Sequence, residues 1–111
     1  MRKDRIASVL SRAMSEIIGH DMKDPRLGLV TITTVDVSGD LKTAVVYFSS
    51  LDDKQAGLAT LNRAKGYIKS ELASRVKMRF IPDIEFRIDN SYEYGKKIDA
   101  LLDEISPDDK E

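Results

Sequence analysis

The sequence predicts an α+β fold in which a three-stranded sheet packs on helices, and three observations lead there. An apolar stripe at helical spacing opens the chain, two β-branched runs joined by a turn follow, and a long helical pattern separates these from a third, strictly alternating run. With 111 residues, 41% of them hydrophobic, the chain has the size and apolar content of one domain around one core.

The first helix is marked by Ile6, Val9, Leu10, Ala13, Ile17 and Ile18, which fall at the offsets of one helix face, and Gly19 stands where a left-handed C-cap is expected. Asp24-Pro25-Arg26 then imposes a turn, because proline lacks a backbone donor and biases Asp24 away from helical angles. Residues 28 to 37 and 42 to 49 are rich in β-branched types and read as an antiparallel hairpin with Ser38-Gly39-Asp40 as a tight connection. In the first of these strands Val30 and Ile32 have the opposite parity to Val35 and Val37, so a bulge near Thr33-Thr34 is needed to put all four on one side. In the second, Ala44, Val46 and Phe48 share a face.

Leu58, Leu61, Ala64, Ile68, Leu72 and Val76 then follow one helical stripe that Ala64-Lys65-Gly66 interrupts. Glycine inside a helix costs about 0.5–1 kcal/mol relative to alanine, so two helices meeting at an angle near Gly66 are expected. Residues 84 to 89 alternate as the third strand. Ile98, Leu101, Leu102 and Ile105 predict a short C-terminal helix capped from Asn90 or Ser91 and stopped by Pro107. The expected organisation is one domain over residues 1 to 106 and a short polar tail over 107 to 111.

Eighteen Lys plus Arg against nineteen Asp plus Glu give a net charge of −1, which excludes a uniformly basic polyanion binder, yet the charge is regional. Residues 1 to 12 carry +3, residues 63 to 79 carry +5, and residues 83 to 111 carry −6. Solvated helix faces often look like this, so the count alone decides nothing. The absence of cysteine excludes disulfides, thiolate nucleophiles and Cys-based metal sites, and with no signal-peptide pattern or membrane-length apolar run a soluble, unprocessed, cytoplasmic protein is expected.

Catalysis finds no support in the residue pattern. His20, the sole histidine, follows the expected helix cap and is better explained by terminal carbonyls or solvent than by a metal. Asp52-Asp53 and Asp108-Asp109 are explained by a helix start and a solvated tail, and no Gly-x-Ser-x-Gly elbow or phosphate-binding Gly-x-x-x-x-Gly-Lys run occurs. No enzyme, cofactor or metal is expected. Nucleic-acid binding fits better, because a helix restarting after a break offers the amides of Gly66 and Tyr67 to a phosphate beside Lys65 and Lys69. Tyr67 could stack on a base, although an aromatic in the first turn of a packed helix is more often core or rim.

The order helix, strand, strand, helix, helix, strand is that of a type II KH-like domain, but the usual Gly-x-x-Gly clamp is replaced by Ala64-Lys65-Gly66. That substitution occurs with Asp24-Pro25-Arg26, Val35-x-Val37-Ser38-x-Asp40-Leu41-x-x-Ala44, Tyr47 with Ser49, and Asn90-Ser91-x-Glu93-x-Gly95. Together, from about residue 2 to 105, these resemble the bacterial ribosome-binding factor A family. The resemblance implies a non-catalytic, cytoplasmic factor that binds the free or immature 30S ribosomal subunit and assists late maturation and processing of its 16S rRNA, notably in the cold. It maps the family's Ala-x-Gly kink onto Ala64 and Gly66. A basic RNA-facing surface maps onto Arg63, Lys65, Lys69, Arg75, Lys77 and Arg79, with Arg2, Lys3 and Arg5 as a second tier. A GTPase assembly factor that promotes release is a further implied partner, and a monomer is expected. The rival expectation is a KH-like protein-interaction module that uses the acidic C-terminal helix and the hairpin without direct RNA recognition.

Overall fold

In a computed structural model of the chain, residues 3–22, 27 and 30–91 are described. The first helix, α1 (Lys3–Glu16), buries Ile6, Leu10, Ala13 and Met14, with the acid Asp4 favourably placed in its first turn. Met14 takes the place that the sequence pattern gives to Val9, which lies at the exposed edge of the stripe. The expected left-handed cap at Gly19 is not formed: the backbone widens into a π-helical turn over Ile17–Asp21, and no described glycine has positive φ. Met22 N–H closes that turn on Ile17 O at 3.0 Å, while Ile17 and Ile18 stay buried. The Asp24-Pro25-Arg26 turn lies outside the described residues.

Strands β1 (Val30–Val37) and β2 (Thr43–Ser50) pair antiparallel. The register runs Ile32 opposite Phe48 and then Thr34 opposite Tyr47, so Thr33 is the extra residue of a bulge at the place the parity conflict required. Before the bulge Val30 and Ile32 pack against the core, and after it Val35 and Val37 are buried, so one inserted residue reconciles the two phases. The connection is longer than a tight turn. Ser38 N–H donates to Thr43 O (2.9 Å), Thr43 N–H donates to Ser38 Oγ (3.1 Å), and Leu41 N–H donates to Ser38 O (3.0 Å). Leu41 rather than Gly39 takes the left-handed conformation, at φ 63°. For a residue with a Cβ this costs on the order of 1 kcal/mol, offset by the packing of Leu41 against the core.

Helix α2 (Lys54–Arg63) starts at Asp53, whose Oδ1 accepts from the amides of Gln55 (3.0 Å) and Ala56 (3.1 Å). Of the acidic pair before this helix, Asp53 is thus accounted for as the N-cap. Helix α3 (Lys65–Arg75) follows after one residue, and β3 (Asp83–Ile88) pairs parallel with β2 to complete the order β1-β2-β3. A parallel neighbour requires a crossover, and the helix pair is that crossover.

The helices cover one face of the sheet. Leu10, Met14, Leu61, Ile68 and Leu72 meet Ala44, Val46, Phe48, Ile84 and Phe86 in one core. The opposite face carries the exposed Thr31, Asp36, Glu85 and Arg87. Gly57 is buried where α2 meets the sheet, and a Cβ there would stand in ordinary van der Waals contact with Val30 (3.5 Å) and Phe48 (3.6 Å). The result is an α+β fold with the α-β-β-α-α-β order of the type II KH-like arrangement. The expected helix through Ile98, Leu101, Leu102 and Ile105 lies outside the described residues. No described helix is long and apolar enough to cross a membrane.

Candidate nucleic-acid interface

The interruption between α2 and α3 sits at Ala64, with φ −88° and ψ 3°, the sparsely populated bridge region. Ala64 N–H donates back to Thr60 O (3.1 Å), and the ladder resumes only when Ile68 N–H donates to Ala64 O (2.9 Å). The leading amides of α3 therefore lack intrahelical acceptors, and no side chain caps them. The break falls inside the Ala64-Lys65-Gly66 tripeptide that the sequence marks, at its first residue and not at the glycine. Gly66 has no positive φ, and a Cβ on it would meet nothing within 4 Å. The dihedral departure belongs to Ala64, one residue before the new helix begins.

Of the cations expected on this surface, the structure leaves some outward and engages others. Arg63, Lys77 and Arg79 are exposed and Lys65 is half-exposed; Arg63 Nη2 donates to Thr60 Oγ1 (3.3 Å), and the Arg79 guanidinium lies 5.8 Å from the centroid of the Phe80 ring. Lys69 Nζ donates to Asp83 Oδ1 at 2.8 Å, an ion pair from α3 to the first residue of β3. Lys69, through that hydrogen bond and its charge, and then Lys65, through charge alone, hold the Asp83 carboxyl below its usual value. Arg75, also exposed, is engaged by acids, 3.3 Å from Glu71 and 3.7 Å from Glu16 of α1, so it ties α3 to α1 instead of standing free. Lys3 and Arg5 are exposed in the first turns of α1. Their neighbour Ile6 lines the groove that also contains Lys77 and Arg79. Arg2 lies outside the described residues.

Arg63, Lys65, Lys77 and Arg79 thus carry the outward charge of the ridge, while Lys69 is shared with an acid and Arg75 is structural. Two grooves flank the segment after α3. One, of about 690 Å³, lies between that segment and the β1–β2 connection and includes Lys42, Lys77 and Phe80. The other, of about 470 Å³, lies against α3 and includes Gly66, Lys69, Arg79 and Phe80. Charge counting passes over two of these residues. Lys42 lies outside the basic run, and Phe80, 75% exposed, reads as core in any hydropathy pattern. The arrangement can offer guanidinium and ammonium donors, leading helix amides and an aromatic face to a phosphate chain. Among the described residues no group of three or more His, Asp or Glu could hold a metal ion.

Comparison with known proteins agrees with this architecture. The family model for ribosome-binding factor A matches residues 2–102. Ribosome-binding factor A of Brevibacillus brevis is 45% identical over 112 residues, covering 96% of this chain and 93% of the relative. The crystal structure of ribosome-binding factor A from Thermus thermophilus superimposes with a TM-score of 0.74 at 35% identity, covering 78% of this chain and 93% of that one. A homology model of the Thermus thermophilus factor, fitted into the cryo-EM map of its complex with the 30S subunit, gives a TM-score of 0.67 at 34% identity, with coverages of 76% and 91%.

Proposed function

The chain belongs to the ribosome-binding factor A family, and from that premise we propose that it is a non-catalytic assembly factor that binds the free or immature 30S subunit. It assists late maturation and processing of 16S rRNA, including at low temperature, and acts in the cytoplasm as a monomer. A GTPase assembly factor promotes its release. The observation that carries this reading is the broken helix pair with the segment after it: Arg63 and Lys65 at the break, beside uncapped helix amides, and Lys77 and Arg79 beyond α3 offer their charge to solvent. Phosphate neutralisation by such groups releases counterions, so binding falls steeply with salt and reads backbone shape more than sequence. The fitting of the Thermus relative into a 30S complex supports the same partner.

The direct test is co-sedimentation of the full chain with free 30S subunits, combined with deletion of its gene and growth in the cold. Salt-sensitive association with free subunits, and accumulation of precursor 16S rRNA that the intact gene reverses, are the expected results. Association that survives removal of rRNA by nuclease would instead identify a protein-binding module.

A further inference from the structure

Resting on the RNA-binding reading above, we propose that Phe80 is a stacking platform for an unpaired RNA base, in the groove between α3 and the segment after it, with the adjoining phosphate held by Arg79. The first observation is that the exposure of Phe80 is imposed. On either side of it Met78 and Ile81 pack against the core and Pro82 is buried, while Asp83 N–H donates to Lys42 O (2.9 Å) to fix the entry into β3. This short, anchored stretch holds an aromatic ring 75% in solvent. Leaving so much apolar surface in water is unfavourable, and it is relieved when a partner covers the ring.

The second observation is the chemistry around the ring. The groove against α3 is lined by Lys69 and Arg79 with no carboxylate among its lining residues, and its volume of about 470 Å³ falls within the range of small-ligand clefts. On the far side of Phe80 the cations Lys42 and Lys77 share the groove with Asp40 and Asp83. Both acids are already engaged: Asp40 accepts from Ser38 Oγ (2.7 Å) and Lys42 N–H (3.0 Å), and Asp83 accepts from Lys69. A flat apolar face between cationic rims fits a nucleotide in single-stranded RNA, which offers a π-face and a phosphate a few ångströms apart. Arg79 over Phe80 adds a guanidinium to the same stack. A paired duplex cannot use this platform, because its bases are not splayed out. The site therefore selects a loop, bulge or strand end.

The chain contains no tryptophan, so Phe80→Trp supplies a single indole at the site, excited apart from the four tyrosines. Expected results are that Phe80→Ala and Phe80→Leu weaken binding to free 30S subunits about 5- to 100-fold, as loss of one stacked base does. Phe80→Trp keeps near-native affinity, and protein-free 16S rRNA quenches its emission. Circular dichroism and thermal melting should be unchanged, since Phe80 contributes little to the core. If Phe80→Leu binds like the parent while Phe80→Ala does not, the residue makes an apolar protein contact and the proposal is overturned. Indole emission from the Phe80→Trp variant that stays unquenched with rRNA bound overturns it as well. If Lys65 and Lys77 substitutions reduce binding but Phe80→Ala does not, this proposal fails and the broader RNA-binding reading stands. If the parent chain does not bind subunits or rRNA at all, both fail.

Discussion

Neutralising Lys65 and Lys77 together is the most discriminating perturbation of the ridge, because the structure separates its cations by what they already touch. Lys69 is paired with Asp83 and Arg75 lies between Glu71 and Glu16, so reversing either would disturb packing as well as charge. Among the described residues, Arg63, Lys65, Lys77 and Arg79 form no ion pair within 4 Å, which makes them the cations free to meet phosphate. Four such contacts give a slope of log K against log salt of about −3, so doubling the salt from about 0.1 M to about 0.2 M weakens binding about 8-fold. With Lys65→Gln and Lys77→Gln the slope halves to about −1.5, and the same doubling costs about 3-fold. The assay is co-sedimentation with free 30S subunits over a KCl series, with far-UV circular dichroism checking that the helices persist. An unchanged slope in a folded double variant would refute the assignment of these two lysines to the interface.

Asp83→Asn releases Lys69 from its ion pair; the salt slope should steepen by about one contact and affinity should rise at low salt, whereas weakened binding would show that the pair positions the ridge. Gly66→Ala should stabilise the fold by about 0.5–1 kcal/mol, read as a higher Tm with the helix break retained, because the new methyl meets nothing within 4 Å and alanine is the better helix former. Loss of the break in that variant would return the kink to Gly66. Hydrogen bonds from Ser91 and then from the Thr33 hydroxyl hold the Asp89 carboxyl below 3.8, so its ionised form stabilises the fold above that pH, and the contribution is lost as the pH falls through the lower folded value. Thr33→Val should move the Asp89 midpoint upward in a carboxyl NMR titration; an unmoved midpoint would mean that the bulge hydroxyl does not reach it.

How far the fold could be read before its coordinates depended on whether the deciding physics was local. Parity is a counting constraint along one strand, so the phase conflict between Ile32 and Val35 located the bulge at Thr33. The stripe from Ile6 to Ile18 marked α1 for the same reason, but the π-helical turn that replaced a cap at Gly19 does not follow from local sequence rules. Gly66 looked like the breaker because glycine is the usual one; Ala64 breaks the ladder instead, a residue with no propensity to do so. For the site, charge runs located the ridge but could not separate Lys77 from Arg75, since pairing with Glu16 spans two helices. Nor could hydropathy find Phe80, because exposure is set by its anchored neighbours and not by its own side chain.

The parallel pairing of β2 with β3 has a bearing on synthesis. Because α2 and α3 lie on the chain between those two strands, the sheet cannot close until residues through Ile88 have left the exit tunnel. Until then Asp83 is not in place to take up Lys69, and the stretch bearing Phe80 has no downstream anchor. A nascent chain held before that point displays Lys65, Lys69 and Lys77 without the ion pair and the anchored groove that β3 supplies.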